Sequence, residues 1–194
     1  MELKNDLRVI KTNNNIKSSF IQLLNEKDFN SITVKDILDR ALINRSTFYK
    51  YYTDKYNLAE IISHDFLDKF KSLVSLIFVN GKDLKDILNL KAELLEELYA
   101  QKMTILGLWK IRTEKIHVYD DMQEIIKHSY INLIEDDNKE NRDIEYESYI
   151  CAAIILATLK FILESNKVYT VQEVAQRLEN FYNTFFSNNS LTSH

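Results

Sequence analysis

Apolar residues recur at helical spacing in the first part of the chain and predict two helices. The first stripe, whose members are three or four positions apart or adjacent, comprises Ile16, Phe20, Leu23 and Leu24. This stripe predicts an amphipathic helix over roughly residues 7–26. Thr33 precedes Asp36 by the spacing of a capping box. We therefore expect a second, short helix that begins after Thr33 and ends near Arg40.

The next two helices are predicted by residues that suit helix starts. Asn44 is a suitable N-cap for a third helix, and Phe48 is the residue expected to anchor that helix in the core. Asp54 is a further N-cap, which begins a fourth helix running toward residue 77. The apolar stripe of the fourth helix comprises Leu58, Ile62, Phe66 and Phe70. The length of this helix suits a connector between two domains.

The pattern stays helical in the rest of the chain. Gly107 predicts a break or kink, and roughly residues 113–135 are expected to form one helix. Residues 136–141 are polar and predict a loop, which two helices follow at about 144–165 and 170–187. The first of these two is apolar on nearly every side in its second half, which requires burial. The pair therefore predicts either a dimerisation face or two helices that only close the core of one subunit.

Composition favours an all-α fold. The 194 residues include no proline and two glycines, whereas a β-rich protein usually needs both in its tight turns. The single cysteine, Cys151, excludes an intramolecular disulfide and is expected to be a buried thiol. The N-terminus has no apolar signal-peptide core, and the longest apolar stretch, 149–163, is judged too short to span a bilayer. We expect a cytoplasmic protein with no membrane partner.

Charge is distributed unevenly along the chain. The formal net charge is -4, but residues 1–60 carry ten Lys or Arg against eight Asp or Glu. The field near the phosphates governs counterion release from DNA, and the total charge of the protein does not. A weakly basic N-terminal part on an acidic body is therefore compatible with DNA binding.

Residues 31–55 have the pattern of a helix-turn-helix, in which the second helix enters the major groove of DNA. With Phe48 buried, the side chains expected to face outward are Arg45, Ser46, Thr47, Tyr49, Lys50 and Tyr51. Arg45 can read a guanine through a bidentate contact, or it can bind a phosphate or a nearby acid instead. Thr47 and Tyr51 can each contact either a base or a phosphate.

These residues also carry a resemblance to a known family. Over about residues 7–62 the chain resembles the TetR/AcrR family of bacterial transcriptional regulators. The matching positions are Phe29, Ile32, Thr33, Val34, Ile37, Ala41, Ile43, Ser46, Thr47, Phe48, Tyr49, Tyr52, Asp54, Lys55 and Leu58. Leu42 departs from the pattern because the family turn normally has glycine there, and Ser18 and Ser19 replace the usual small apolar residues.

The resemblance implies a fold and a domain organisation. It implies an N-terminal three-helix helix-turn-helix domain, joined by a long fourth helix to a C-terminal helical domain for ligand binding and dimerisation. We place the DNA-binding domain at 1–55, the connecting helix at 56–80 and the C-terminal domain at 81–190. The expected partners are double-stranded DNA with a near-palindromic operator and a second copy of the chain, bound through the helices at 144–165 and 170–187.

The predicted DNA-binding residues include four besides the outward set of the third helix. Asn44 precedes that helix, while Thr33 and Lys35 begin the second helix, which should lie against the DNA backbone. Thr33 can both cap its helix and contact a phosphate. The resemblance implies that the Tyr49 hydroxyl grips the backbone and that Lys55, in the first turn of the fourth helix, binds a phosphate.

The resemblance also implies a pocket for a small-molecule effector between the middle helices of the C-terminal domain. Such pockets are apolar with a few placed polar groups. The candidate lining residues are Phe66, Phe70, Tyr99, Met103, Trp109, His117, Tyr119, Met122 and Tyr130. Each of them can instead be a core residue, since aromatic stripes at helical spacing usually are.

Other functions have little support in the sequence. There is no Gly-rich phosphate loop, Cys-x-x-Cys motif or nucleophile elbow, so we expect neither an enzyme nor a cofactor. His117 and Asp121 are four positions apart, but without a further Cys or His cluster they predict a surface pair and no metal site. The expected function is a DNA-binding regulator, a repressor released by its effector. The alternative is a DNA-binding dimer that is constitutive or controlled by a protein partner.

Overall fold

Every regular element in the described part of the chain is helical. The computed structural model describes residues 2–78, 84–135 and 143–184, with the backbone alone for 2–6, 77, 84–90 and 135. The α-helices of these residues are α1 (Glu2–Glu26), α2 (Val34–Ala41), α3 (Arg45–Phe48), α4 (Lys55–Ile77), α5 (Leu84–Ala100), α6 (Lys102–Leu108), α7 (Val118–Glu135), α8 (Ile144–Glu164) and α9 (Val171–Tyr182). A 3₁₀ turn, Phe29–Ser31, connects α1 to α2. The predicted all-α fold is confirmed.

The predicted helix caps are present. Thr33 and Asp36 form the capping box of α2, in which the Asp36 N–H donates to the Thr33 hydroxyl at 3.2 Å and the Thr33 N–H donates to the Asp36 carboxylate at 2.7 Å. Asn44 and Asp54 cap α3 and α4 through their side chains. α1 begins before residue 7, because the polar residues that precede its apolar stripe include no proline or glycine. The predicted loop at 136–141 and the predicted helix beyond residue 184 lie outside the described residues.

Of two expectations about the middle of the chain, one is confirmed and one is wrong. The break expected at Gly107 falls one residue later, because α6 ends at Leu108, and the missing side chain of Gly107 also lets α6 approach α1 closely. A Cβ atom on Gly107 would lie 3.0 Å from Asn25 Nδ2 and 3.2 Å from Leu24 Cβ. A further interruption, which the sequence pattern did not indicate, falls at Gln101 between α5 and α6. α7 begins at residue 118, because residues 113–117 form a loop.

One hydrophobic core connects the N-terminal helices to the later ones. α1 packs against both α2 and α6, while α4 packs against both α5 and α7, and α7 packs against α8. Fully buried side chains from successive helices include Phe20, Phe48, Leu58, Leu108 and Met122. Burial of one such side chain contributes about 1.5–3 kcal/mol. α1 and α4 therefore couple the helix-turn-helix to the rest of the molecule.

α8 is buried on one side only, although its composition predicted burial all round. Ala152, Leu156 and Leu159 are buried, while the opposite side of the helix is exposed and apolar. α9 has no buried residue among those described. We call the exposed apolar surface of these two helices the α8–α9 face, and we define it by Ile150, Ile154, Phe161 and Leu178.

The expectation that this apolar stretch is too short to span a bilayer is wrong about length. α8 has 21 residues because the helix begins at Ile144, and by length and composition it could cross a membrane. The core helix of a soluble protein has the same length and composition, and α8 packs along α7. Cys151 on this helix is half-buried, so the expected full burial is wrong, and partial burial raises the pKa of its thiol.

Candidate nucleic-acid interface

α3 is a single helical turn that is fixed by its cap and by one buried ring. The Asn44 Oδ1 atom accepts hydrogen bonds from the Thr47 N–H at 2.9 Å, the Thr47 hydroxyl at 2.7 Å and the Ser46 hydroxyl at 2.8 Å. Phe48 is fully buried and packs edge-on against the Tyr49 ring. The orientation of α3 is thus set by an exposed cap, Asn44, and by a buried ring, Phe48.

The side chains that face outward follow the sequence pattern in part. Those that are exposed are Arg45, Ser46, Tyr49 and Lys50, whereas Thr47 and Tyr51 are half-buried. α3 ends at Phe48, so the expectation that the third helix includes Lys50 and Tyr51 is wrong. These two residues lie in a turn in which the Tyr51 N–H donates to the Phe48 carbonyl at 2.9 Å. The predicted DNA contacts therefore come from one helical turn and the turn that follows it.

The Arg45 guanidinium is available to bind a ligand. Its guanidinium carbon lies 5.6 Å from the centre of the Tyr49 ring, which supports the side chain. Among the described residues no acid forms a salt bridge with Arg45, so the local ion pair considered from sequence is not present. Its fork of N–H donors matches the bidentate acceptors of guanine or phosphate.

Two predicted phosphate contacts lie at the start of α2: Thr33 has a protein partner, whereas Lys35 is exposed. The Thr33 hydroxyl donates to the Asp36 carboxylate at 2.7 Å, so its proton serves the capping box. Lys27 lies 2.9 Å from the same carboxylate, and the hydrogen bonds of Lys27 and Thr33 hold the pKa of Asp36 well below its usual range. Lys35 is exposed beside them. Because Lys27 compensates the charge of Asp36, the carboxylate opposes an approaching phosphate less.

The turn between α2 and α3 is built on a strained residue. Leu42 has φ 52° and ψ 44°, the left-handed conformation, and no other described non-glycine residue has a positive φ. Its side chain is 90% exposed, so it gains little from packing. This conformation favours glycine, which explains why the family turn normally has glycine at this position.

Lys55 has protein partners at the place where the resemblance implied a phosphate. Its ammonium donates to the carbonyls of Phe29 at 2.8 Å, Asn30 at 3.0 Å and Ile32 at 2.8 Å. It also lies 4.7 Å from the centre of the Phe29 ring and 5.3 Å from that of Tyr56. Burial lowers the pKa of this ammonium. All three donors are used, so a phosphate contact requires Lys55 to leave these carbonyls.

Two asparagines of α1 hold the helix-turn-helix, and neither is among the residues predicted from the sequence. The Asn15 amide donates to the Ala41 carbonyl at the end of α2, at 2.6 Å. The Asn13 side-chain oxygen accepts the hydrogen bond of the Tyr52 hydroxyl. Burial of Tyr52 raises its pKa to about 12. The available signal was a run of asparagines inside a predicted helix, where asparagine is unfavourable without a partner.

The nine predicted pocket residues do not line one cavity within the described parts of the chain. Phe70 and Met122 are buried in the core, and Phe66 stacks on Phe70 with ring centres 6.0 Å apart. His117 is exposed and lies one helical turn from Asp121, whose N–H donates to its carbonyl at 2.9 Å. The described residues contain no group of three or more His, Cys, Asp or Glu side chains placed to hold a metal ion.

Two of the predicted pocket tyrosines are engaged by other protein groups. The Tyr99 hydroxyl accepts the Tyr169 N–H at 2.8 Å. The Tyr130 hydroxyl donates to the Glu147 carboxylate at 2.7 Å. Both tyrosines therefore connect the middle helices to the C-terminal segment around α8.

The remaining candidates line two separate surface grooves. Trp109 and Tyr119 line a groove of 440 Å³ where α6 and the start of α7 meet the end of α1 and α8. Met103 lines a groove of 660 Å³ between α1, α4 and α6, together with Phe66. A third groove, of 180 Å³ and nearly apolar, lies between α5, α8 and α9 and includes none of the predicted residues.

Comparison with known proteins agrees with the helix-turn-helix geometry. Residues 21–62, which include α2, α3 and the start of α4, match the family model described as bacterial regulatory proteins, tetR family. A curated relative, the uncharacterized HTH-type transcriptional regulator YxbF of Bacillus subtilis (strain 168), is 27% identical over 178 residues. The match covers 91% of this chain and 46% of YxbF, so the chain spans about half the length of this relative.

Solved structures with the same fold include TetR-family regulators. One from Syntrophomonas wolfei has a TM-score of 0.65 at 18% identity, covering 94% of this chain and 98% of that one. One from Streptococcus agalactiae 2603V has a TM-score of 0.62 at 21% identity, with coverage of 93% and 98%. A gamma-butyrolactone receptor, an ArpA-like protein, has a TM-score of 0.59 at 18% identity, with coverage of 89% and 95%. Residues 21–62 thus match the tetR family of bacterial regulatory proteins, and the fold of the chain as a whole is one that TetR-family regulators share.

Proposed function

We propose that the chain is a sequence-specific DNA-binding transcriptional regulator. The observation that carries the proposal is the outer surface of α3 and of the turn after it, where Arg45, Tyr49 and Lys50 are exposed beside a fully buried Phe48. A helix of this kind inserts into the major groove. The family consists of transcriptional regulators, which are not enzymes.

Within this proposal the exposed residues have separate roles. Arg45 reads a guanine, because no described acid occupies its guanidinium and Tyr49 supports it from below. Tyr49 and Lys50 contact phosphates on either side, and Lys35 contacts the backbone from the start of α2. The side chains of Asn44 and Thr33 act indirectly, since each of them caps a helix that presents the others.

We further propose that the regulator is a homodimer that pairs through the α8–α9 face. Ile150, Ile154 and Phe161 lie on one side of α8 and are 37%, 42% and 58% exposed, which is unusual for an apolar surface on a monomer. A two-fold axis through this face buries the same residues on both subunits. It also presents two α3 helices to a near-palindromic operator, with half-sites about one helical turn apart.

As a cytoplasmic repressor, this dimer would leave its operator when a small molecule binds. One protein of the same fold is a gamma-butyrolactone receptor, which supports a receptor role for the C-terminal helices. A ligand acts by favouring a dimer in which the two α3 helices no longer match the half-sites.

Selection of bound duplexes from a random DNA pool tests the DNA-binding proposal. The wild type should recover a near-palindrome, and Arg45→Ala should lose about 1–3 kcal/mol at one base pair of each half-site. Lys71→Ala, a change of an exposed cation on α4, serves as the control and should recover the same sequence as the wild type. Absence of any enriched sequence at low salt would refute the proposal.

A further inference from the structure

The groove that contains Trp109 has a mixed aromatic and cationic lining. Two of its rings, those of Trp109 and Tyr119, are 5.4 Å apart between centres and nearly perpendicular, with 72° between their planes. The charged groups that line it are Lys110, Arg112, Lys160 and Glu164. At 440 Å³ the groove has the size of a small-molecule site.

The cations of this groove are not neutralised by neighbouring acids. Among the described residues, neither Arg112 nor Lys160 forms a salt bridge, and the carboxylate of Glu164 forms none either. Three positive groups therefore face one negative group, and the groove has an excess of positive charge. The chemistry that complements such a site is an anion carried by a flat apolar body.

One cation of the groove also belongs to the joint between α1 and α6. The Lys110 ammonium donates to the carbonyls of Leu24 at 3.2 Å and Asn25 at 3.3 Å, in the last turn of α1. The Asn25 amide donates in the other direction, to the Met103 carbonyl of α6 at 2.8 Å. Gly107 lets the two helices approach closely at the same place. α1 in turn packs against α2, so the joint leads to the helix-turn-helix.

We propose that this groove binds a small aromatic carboxylate and that the bound carboxylate lowers the affinity of the protein for DNA. The carboxylate pairs with Arg112 and Lys160, and the aromatic body lies against Trp109 and Tyr119. The bound anion also attracts Lys110, which then leaves the carbonyls of α1 and loosens the α1–α6 joint. The effect on DNA rests on the proposed function, whereas the binding itself does not.

Trp109 is the only tryptophan of the chain, so its fluorescence reports on the groove directly. The probe is 4-nitrobenzoate, whose nitroaromatic ring quenches tryptophan, and 4-nitrobenzamide is its uncharged match. We expect saturable quenching by the anion and about fivefold weaker binding of the amide, as the loss of partly exposed ion pairs implies. The double variant Arg112→Gln/Lys160→Gln should weaken the binding of 4-nitrobenzoate similarly. The charge-matched double variant Lys71→Gln/Lys115→Gln should leave that binding unchanged. Equal binding of acid and amide, or equal losses in both variants, would overturn the site.

A second measurement tests the effect on DNA. With the duplex recovered by selection, saturating 4-nitrobenzoate should weaken protein–DNA binding by about tenfold. Lys110→Met should remove most of this weakening while quenching by the probe persists. Quenching with no change in DNA affinity would overturn the coupling. Failure of the selection to yield any duplex would count against the proposed function and leave the quenching result as the test of the groove.

Discussion

At the residue scale, the contacts of a side chain show which of several possible roles it has when its sequence position allows more than one. Lys55 lies in the first turn of α4, where the positive end of the helix dipole opposes a cation. Three carbonyl acceptors of the turn between α1 and α2 offset that opposition. We infer that the principal role of Lys55 is to hold this turn against α4, which positions the start of α2.

Replacement of Lys55 by methionine separates this role from a phosphate contact. Lys55→Met leaves part-buried carbonyls without a donor, so the free energy of unfolding should fall by about 1–3 kcal/mol in urea denaturation. The slope of log K against log salt for DNA binding should stay at the wild-type value. Lys50→Met removes an exposed cation and should instead flatten that slope by about one without loss of stability. A slope flattened by Lys55→Met would restore the phosphate contact.

The pH dependence of stability should report on Asp36. Its pKa is lowered by hydrogen bonds from Lys27 and Thr33, so its contribution is present above the ordinary carboxyl pKa and is lost as pH falls through the lowered value. Asp36→Asn should remove about 1 kcal/mol near neutral pH and reduce the acid dependence below about pH 4. Asp39→Asn, at an exposed acid of the same helix, provides the comparison. Parallel pH profiles of wild type and Asp36→Asn would contradict this reading.

At the element scale, the sequence predicts a helix start well where a capping side chain marks it, and less well where none does, as at α1 and α7. The caps at Thr33, Asn44 and Asp54 follow from local hydrogen-bonding chemistry, which the residue types alone indicate. The end of α3 at Phe48 coincides with hydrogen bonds of the following turn, in which the Phe48 carbonyl accepts the N–H groups of Tyr51 and Tyr52. Gly107 indicated the end of α6 to within one residue, but the sequence does not show that α1 lies against it.

Replacement of Leu42 in the α2–α3 turn by glycine should increase the stability of the protein. The left-handed conformation costs a residue with a Cβ about 1–2 kcal/mol, and glycine gives back about 0.5–1 kcal/mol in unfolded-state entropy. Leu42→Gly should therefore raise the free energy of unfolding by about 0.5–1 kcal/mol, measured in urea. Leu42→Ala retains the Cβ and should give no increase. A similar gain from both variants would mean that the exposed leucine side chain, and not the backbone, is the source of the cost.

At the scale of the whole molecule, the placement of helices relative to one another was not predictable from periodicity. Tyr99, Trp109 and Met122 are all predicted pocket residues, yet they lie against a backbone N–H, in a groove and in the core. Periodicity shows which side of a helix is apolar, but it does not show which other helix packs against that side. This is why the sequence indicated the helix-turn-helix, a local motif, in more detail than the pocket.

The same limit applies to α8, where composition shows an excess of apolar surface and the fold shows which part of it α7 covers. Ile154 lies on the uncovered part and is 42% exposed. In a two-fold dimer Ile154→Lys introduces two charges and removes two apolar contacts of about 1.5–3 kcal/mol each. The dimer dissociation constant should therefore rise by at least about 100-fold.

Sedimentation velocity over a range of protein concentrations measures this change. Leu76→Lys is the matched control, because Leu76 is 48% exposed on α4 and lies outside the α8–α9 face. The Ile154→Lys protein should sediment as a monomer and lose most of its affinity for the palindrome, since one α3 then binds without its partner. It should keep its affinity for an isolated half-site, because α3 is held by Asn44 and Phe48 within its own subunit. If Ile154→Lys and Leu76→Lys both remain dimers, the two-fold contact lies elsewhere on the molecule.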